Sequence, residues 1–180
     1  MVRGPAHVDV RMYYVAAEAG LRYGWSTIYD QAILRSLSTF FPAGQRLIDS
    51  EVTYASTPLL AWLFAPLTVF PEPVAYGLWT LLSLAALVFA WYIATPYTGL
   101  AKLTLLLVTL GLSPVLWTFF LEQPIMPVIA CLAAAWWLCT KEQPLAAGAA
   151  LAFATFLKPQ AVIVVPAALL VSGHYRVVAS

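Results

Sequence analysis

Long runs of apolar residues, separated by short polar turns, occupy most of the chain. The clearest run covers residues 75–94 and contains no charged side chain. A helix over its twenty residues would be about 30 Å long, which matches the hydrocarbon layer of a membrane. Tyr76 and Trp79 lie near one end of the run and Trp91 and Tyr92 near the other, as expected of residues at the two membrane interfaces. The pattern therefore predicts a transmembrane helix.

Four further apolar runs are also predicted to be membrane spans, and they cover residues 103–121, 124–140, 145–157 and 161–171. The first of them is expected to bend or break near Gly111 and Pro114. Small residues in the third, at Ala147, Gly148, Ala150 and Ala152, would let a neighbouring helix approach closely. One more run, residues 58–70, is too short to span comfortably and contains Pro66, so it is predicted to be interfacial or re-entrant.

The N-terminal part of the chain has a different pattern. Apolar residues recur there at helical spacing, namely Val10, Tyr13, Tyr14, Ala17 and Leu21. Asp9 is expected just before this helix, with Gly20 and Gly24 around its end, and residues 28–37 are expected to form a second short helix. The pattern divides the chain into a loop with juxtamembrane helices (1–57) and a transmembrane bundle (58–180).

Composition supports a membrane protein and excludes a soluble domain. Hydrophobic residues make up 62% of the chain and charged residues only 9%, whereas soluble domains carry roughly a quarter of charged residues. Ten of the seventeen charged residues fall within positions 1–56. A net charge of +1 without a basic run gives no indication of nucleic-acid binding. The predicted fold is all-α, a polytopic membrane helix bundle with extracytoplasmic juxtamembrane helices.

The positions of the lysines and arginines predict the orientation of the bundle. Lys102, Lys141 and Arg176 fall on one side if the five long spans alternate and residues 58–70 do not cross. The positive-inside rule makes that side cytoplasmic. Residues 1–56, the Glu122–Gln123 turn and Lys158 are then expected on or near the opposite, extracytoplasmic side of a plasma membrane.

Three places could carry chemistry, and each has a plain structural alternative. Asp9 could cap the helix that follows it or act as a general base. Lys158 could extend to the membrane interface or bind an anion such as a lipid phosphate. Glu122 and Gln123 could be a simple polar turn or could hydrogen-bond a sugar or phosphate. Tyr54, Trp62 and Trp117 could stack on a sugar ring or belong to aromatic belts. Cys131 and Cys139 lack the spacing of a metal site and are interpreted as small apolar residues.

Four segments carry a resemblance to a known family. Residues 7–17 (HVDVRMYYVAA) resemble the Asp and paired-aromatic motif that opens the first outer loop of polyprenol-phosphate-mannose-dependent glycosyltransferases, family 87 of the type C enzymes. Residues 54–66 (YASTPLLAWLFAP) are similar to the Tyr- and Pro-rich segment that follows it. Residues 121–124 (LEQP) resemble a Gly-Gln turn, with Glu122 in place of the usual Gly, and residues 157–160 (LKPQ) resemble a later Lys-Pro turn.

The resemblance implies a membrane enzyme that transfers a hexose, mannose above all, from a polyprenyl-monophosphate carrier to a glycan or glycolipid acceptor, with inversion. It implies Asp9 as the base and Lys158, Gln123, Glu122, Tyr54 and Arg11 as substrate-binding residues, with no cofactor and no metal. If Asp9 is only a cap, the base is to be sought at Asp30, Asp49, Glu51 or Glu122. Members of the family have more spans, so the chain is expected to be a fragment. The alternative is a membrane transporter or lipid-binding membrane protein without catalysis.

Overall fold

The computed structural model describes residues 8–38 and 54–173, and all regular secondary structure within these two ranges is helical. This agrees with the all-α prediction. The α-helices are α1 (Val8–Tyr23), α2 (Gln31–Ser38), α3 (Pro58–Phe64), α4 (Glu72–Ala94), α5 (Gly99–Gly111), α6 (Ser113–Leu121), α7 (Ile125–Thr140), α8 (Pro144–Leu157), α9 (Pro159–Val162) and α10 (Val164–Val171). Two short 3₁₀ helices, Trp25–Thr27 and Ala65–Val69, stand between α1 and α2 and directly after α3.

The contacts divide the chain into two compact units. The described residues up to Thr80 belong to the first unit together with Phe120–Gln123, and those of Leu81–Phe119 and from Pro124 onward belong to the second. The first unit thus extends past residue 57, because α3 and the 3₁₀ helix after it pack against α1. The boundary predicted at residue 57 concerns the side of the membrane and stays a prediction.

Helix α1 is buried over most of its surface. The side chains of Val10, Val15 and Ala16 are completely buried, and the stretch from Met12 to Ala17 is buried without interruption. The helix ends at Tyr23, and Gly24 follows with a φ of 99°, which a residue without a side chain adopts readily. The prediction placed Asp9 just before the helix, but α1 begins at Val8. Asp9 therefore lies inside the first turn, where the helix dipole favours a negative charge.

The apolar run at residues 58–70 forms one short helical segment. Pro58 begins α3 at a position where a proline costs no hydrogen bond. The α-helix ends at Phe64, and Pro66 falls in the 3₁₀ helix Ala65–Val69 that continues it. Both pieces pack against α1. Its two pieces together have 12 residues, fewer than the roughly 20 that a membrane span needs, so the segment is as short as predicted. Its placement along the membrane interface stays a prediction.

Helix α4 is the described helix that is long and apolar enough to cross a membrane. It has 23 residues, and only 22% of its most apolar window is buried, unlike the core helix of a soluble protein. Helices α5 and α6 pass the same test together as one broken span, with a bend of 59° between Gly111 and Ser113. The predicted break near Gly111 and Pro114 is confirmed. Helices α7 and α8 and the α9–α10 pair are shorter apolar helices.

Lys102 closes the turn between α4 and α5. Its ammonium group donates to the carbonyl oxygen of Tyr92 in the last turn of α4, at 2.8 Å, and lies 4.5 Å from the centre of the Tyr92 ring. The indole N–H of Trp91 donates in return to the carbonyl oxygen of Lys102, at 2.9 Å. A cation at the C-terminal end of a helix and over an aromatic ring is favourable on both counts.

Helices α7 and α8 form an antiparallel pair through small side chains. The buried positions of α8 are Ala147, Gly148, Leu151 and Ala154, which recur at helical spacing. The close approach predicted for Ala147 and Gly148 is confirmed, because both are buried where α8 packs on α7. Ala150 is half-buried and Ala152 is exposed, since they lie on other faces of α8.

Gly20 tests the packing of α1. A Cβ atom at this position would stand 2.4 Å from an atom of the Trp25 indole ring, so Gly20→Ala should overpack the contact and destabilise the protein by about 1–3 kcal/mol. Gly77→Ala is the matched control, because a Cβ on this second helical glycine meets nothing within 4 Å. Helix propensity should make that change neutral or stabilising. Thermal unfolding in detergent measures both, and an equal melting temperature for the two variants would contradict this packing.

Candidate functional site

Asp9 shares one face of α1 with Tyr13, four residues further on. The Tyr13 ring lies 5.4 Å from the ring of Phe64 and 6.4 Å from that of Tyr54, centre to centre. The hydroxyl group of Tyr13 is hydrogen-bonded to the side chain of Ser56. Asp9, which is half-buried, is thus carried on the face of α1 that meets the segment 54–64.

Tyr54 fixes the start of that segment. Its hydroxyl donates to the carbonyl oxygen of Thr57, at 2.5 Å, and accepts from the backbone N–H of Ala61, at 3.1 Å. The residue is only 4% exposed, and the Tyr29 ring lies 5.5 Å from its own. Tyr54, predicted to contact substrate, therefore has its hydroxyl engaged within the chain and its ring covered by other tyrosines. Sugar stacking on its ring would need these neighbours to move.

The buried tyrosines beside Asp9 stay neutral at physiological pH. Burial raises the pKa of Tyr13 above its usual value, and the charge of Asp9 raises it further, while the hydrogen bond with Ser56 lowers it. Burial likewise raises the pKa of Tyr54. A phenol with a raised pKa can donate a hydrogen bond but does not serve as a base near pH 7. Neither tyrosine is therefore a candidate for a general base.

Glu122 occupies a constrained position in the same unit. Its φ is 55°, in the left-handed region where glycine is favoured. The residue is 5% exposed; its carbonyl oxygen accepts from the Trp79 indole N–H at 3.0 Å, and its Oε1 accepts from the Thr80 hydroxyl at 2.9 Å. These bonds hold the turn, with the half-buried Gln123 next to it, against the first turns of α4.

Arg11 faces the start of α4. Its Nε lies 3.2 Å from Oε1 of Glu72, with the two side chains 11% and 17% exposed. The Tyr76 hydroxyl donates to the same carboxylate oxygen. Sequence reasoning did not single out Glu72 or Tyr76 as site residues. The available signal was an acidic residue between two prolines, at the head of an otherwise uncharged helix.

Lys158 marks the junction of α8 and α9 in the second unit. Its backbone is extended (φ −152°, ψ 82°), its N–H donates to the carbonyl of Ala154 at 3.1 Å, and its carbonyl accepts from the N–H of Ala161 at 3.0 Å. The helix therefore breaks at the lysine, and Pro159 begins the next one. The side chain is half-buried at this break in the apolar run.

The other carboxylates named as alternative bases have different surroundings. Asp30 caps α2: its Oδ1 accepts from the backbone N–H groups of Ala32 and Ile33, at 2.9 and 3.2 Å. Glu122 is buried against α4, as described. Asp49 and Glu51 lie outside the described residues.

The predicted site residues are thus divided between the units. Asp9, Arg11, Tyr54, Glu122 and Gln123 all belong to the first unit, and Lys158 belongs to the second. Two of the predicted stacking residues, Trp62 and Trp117, are 53% and 57% exposed. Within residues 8–38 and 54–173 no three His, Cys, Asp or Glu side chains are grouped as metal ligands.

Tyr54→Phe tests the structural role of this tyrosine. The change leaves the buried N–H of Ala61 without its acceptor, so the free energy of unfolding should fall by about 1–3 kcal/mol. Tyr29→Phe is the control, because the Tyr29 hydroxyl donates to the Ser56 carbonyl at 2.9 Å on the surface, where water can replace it. Its loss should cost about 0.5–1 kcal/mol. Unfolding in detergent measures both, and a Tyr54 variant as stable as wild type would show that the hydroxyl is not structural.

Comparison with known proteins gives one match. The model of glycosyltransferase family 87 matches residues 54–180, more than two thirds of the chain, from Tyr54 through the helices α3 to α10. No curated protein matches the chain. No solved structure matches it either. Helix α1 with Asp9 and Arg11 precedes the matched region, while Glu122, Gln123 and Lys158 lie within it. The chain belongs to glycosyltransferase family 87, as its motifs predicted.

Proposed function

We propose that this protein transfers a hexose, with mannose the first candidate, from a polyprenyl-monophosphate carrier to a glycan or glycolipid acceptor at the extracytoplasmic face of a membrane. Family membership supports the glycosyl transfer. The observation that carries the assignment of the base is the placement of Asp9. It lies in the first turn of a buried helix, facing the segment 54–64 where the family match begins.

In this mechanism Asp9 accepts a proton from the acceptor hydroxyl as its oxygen attacks the anomeric carbon of the sugar. The new bond is the glycosidic C–O bond, and the bond that breaks joins the anomeric carbon to the carrier phosphate. Both electrons of that bond leave with the phosphate. Because attack and departure occur on opposite faces of one carbon, the configuration inverts. The dipole of α1 favours a negative charge in its first turn, which suits a carboxylate that acts as a base.

Lys158 is the residue we propose for the departing phosphate. The ammonium charge offsets the negative charge that grows on the phosphate as the bond breaks. A charged residue at a helix break within an apolar stretch is rare, and in membrane proteins such a residue often marks a functional site. A lipid-linked donor would bring its phosphate to a lysine of this kind.

An apolar cavity supports a lipid-linked donor. It measures about 480 Å³ and lies among α7, α8 and α10, and its lining includes Leu132, Trp136, Leu151 and Leu169. Leu151 precedes Lys158 by seven residues on α8, which is about 10 Å along the axis. An isoprenoid chain whose phosphate meets Lys158 would therefore reach this cavity along the same helix.

The remaining predicted residues contribute to the shape of the site in this proposal. Gln123 offers an amide that can both donate to and accept from a sugar hydroxyl. Glu122 and Tyr54, both buried and hydrogen-bonded within the chain, hold the turn and the segment that form its walls. Arg11 lies on α1 in ion-pair contact with Glu72.

Asp9→Asn tests the base. The amide cannot accept the proton, so turnover with a polyprenyl-phosphate sugar should fall by roughly 10²–10⁴-fold. Stability should fall by less than about 1 kcal/mol, because only the interaction of one charge with the helix dipole is lost. The measurement is transfer of radiolabelled sugar in membrane vesicles that contain the protein, with the amount of folded protein determined alongside.

Asp30→Asn is the matched control. It makes the same chemical change at an aspartate that caps α2, and asparagine caps a helix as well as aspartate does. Its turnover should stay near wild type. If Asp9→Asn also turned over at the wild-type rate, Asp9 would not be the base, and this mechanism would be wrong.

A further inference from the structure

We propose that Glu72 is a positioning residue for the base: through Arg11 it fixes α1, and with it Asp9, to the head of the membrane-crossing helix α4. This inference rests on the proposed role of Asp9. It also gives Arg11 a role within the chain in place of the substrate contact predicted from the sequence. The carboxylate of Glu72 touches neither of the reacting groups in this account and acts only through the placement of α1.

The contact joins three side chains from two helices. Arg11 of α1 approaches Oε1 of Glu72 to 3.2 Å, and Tyr76, one turn along α4, donates its hydroxyl to the same oxygen. That hydroxyl also lies in hydrogen-bonding contact with the Arg11 side chain. The exposures of 11% for Arg11 and 17% for Glu72 put the ion pair largely out of water.

A shielded ion pair of this kind is better suited to fixing geometry than to adding stability. Taking both charges out of water offsets most of their mutual attraction, so the pair as a whole contributes little. Removing one partner has a large effect, because the other charge is then left shielded and uncompensated. The arrangement therefore penalises any displacement that separates α1 from α4.

The pair acts close to the base. Arg11 follows Asp9 by two residues, about 3 Å along the axis of α1. One turn further, the Tyr14 hydroxyl donates to the carbonyl oxygen of Phe70, at 3.1 Å, immediately before α4. Tyr13 holds the other side of the helix against Phe64 and Tyr54. The N-terminal half of α1 is thus held from two sides, by Tyr13 on the face that Asp9 shares and by the ion pair on another face.

The position of Glu72 gives the contact a mechanistic consequence. It lies in the first turn of α4, the helix that is long and apolar enough to cross the membrane. A donor on a lipid carrier is placed by the bilayer, and so is α4. Anchoring Arg11 to the head of α4 therefore sets the depth of Asp9 relative to the donor. An error of about 1 Å in such a placement can cost roughly 10²-fold in rate.

The test compares two glutamates that pair with arginines of α1. Glu72→Gln should lower kcat by roughly 10–100-fold and change the KM for the acceptor by less than about threefold, because orientation is lost and binding is kept. Glu18→Gln is the matched control: Glu18 pairs with Arg22 at 2.9 Å on the exposed side of α1, far from Asp9. It should leave kcat unchanged. Equal kcat values for the two variants would overturn the inference.

Two double variants separate positioning from the alternatives. In Arg11→Gln/Glu72→Gln the contact between α1 and α4 is absent just as it is in Glu72→Gln, so kcat should stay within about threefold of that of Glu72→Gln. If Arg11 contacted substrate instead, the double variant would lose further activity in proportion to the loss in Arg11→Gln alone. In the Asp9→Asn background Glu72→Gln should change the residual rate by less than about twofold, because there is no base left to place. A full multiplicative loss in that background would show that Glu72 acts independently of Asp9.

The two hypotheses fail in different ways. Wild-type turnover by Asp9→Asn would refute the proposed function whatever Glu72→Gln does. A large loss in Asp9→Asn combined with wild-type kcat in Glu72→Gln would leave Asp9 as the base and refute its positioning by Glu72.

Discussion

The ion pair between Arg11 and Glu72 fixes the geometry with which α1 meets α4 in the first compact unit. It joins α1, which is made of small and aromatic residues buried on nearly every side, to the first turn of α4. The remaining contacts of α1 are aromatic rings and backbone hydrogen bonds, which hold the helix against α3 and the 3₁₀ helix after it. Apolar packing is non-directional, whereas a shielded charge pair has one geometry. Together they give α1 a fixed place at the start of a helix that is long and apolar enough to cross a membrane.

The same first turns of α4 also hold the Glu122 turn. Trp79 and Thr80 bond to its carbonyl and carboxylate, one turn beyond the Tyr76 that meets Arg11. Helix α4 thus begins with a cluster of polar contacts around Glu72 and continues as an apolar helix. That change from polar to apolar is what a helix crossing from an aqueous interface into lipid requires. The polar contacts at the start of α4 belong to the same unit as Asp9, the segment that begins at Tyr54, and the Glu122–Gln123 turn.

Much of the fold was predictable because it follows from local pattern. The spacing of Val10, Tyr13 and Ala17 predicts α1, and Gly111 with Pro114 predicts the break between α5 and α6. Family membership was predictable from four short motifs, each weak alone. The buried environment of Tyr54 and the left-handed backbone of Glu122 were not, because both depend on residues distant in sequence. The role of Glu72 was not predicted for the same reason. Its partner Arg11 is 61 positions away, and the spacing of apolar residues gives no information about such a pair.

The central claim is that the carboxylate of Asp9 acts as the base, and chemical rescue tests it most directly. Asp9→Ala removes the carboxylate and leaves room for a small one from solution. Transfer from a polyprenyl-phosphate sugar should then fall by roughly 10²–10⁴-fold and rise again with added formate, which supplies a base at the vacant position. Wild-type and Asp30→Ala proteins should not respond to formate. A turnover by Asp9→Ala that stays near wild type and is insensitive to formate would contradict the account.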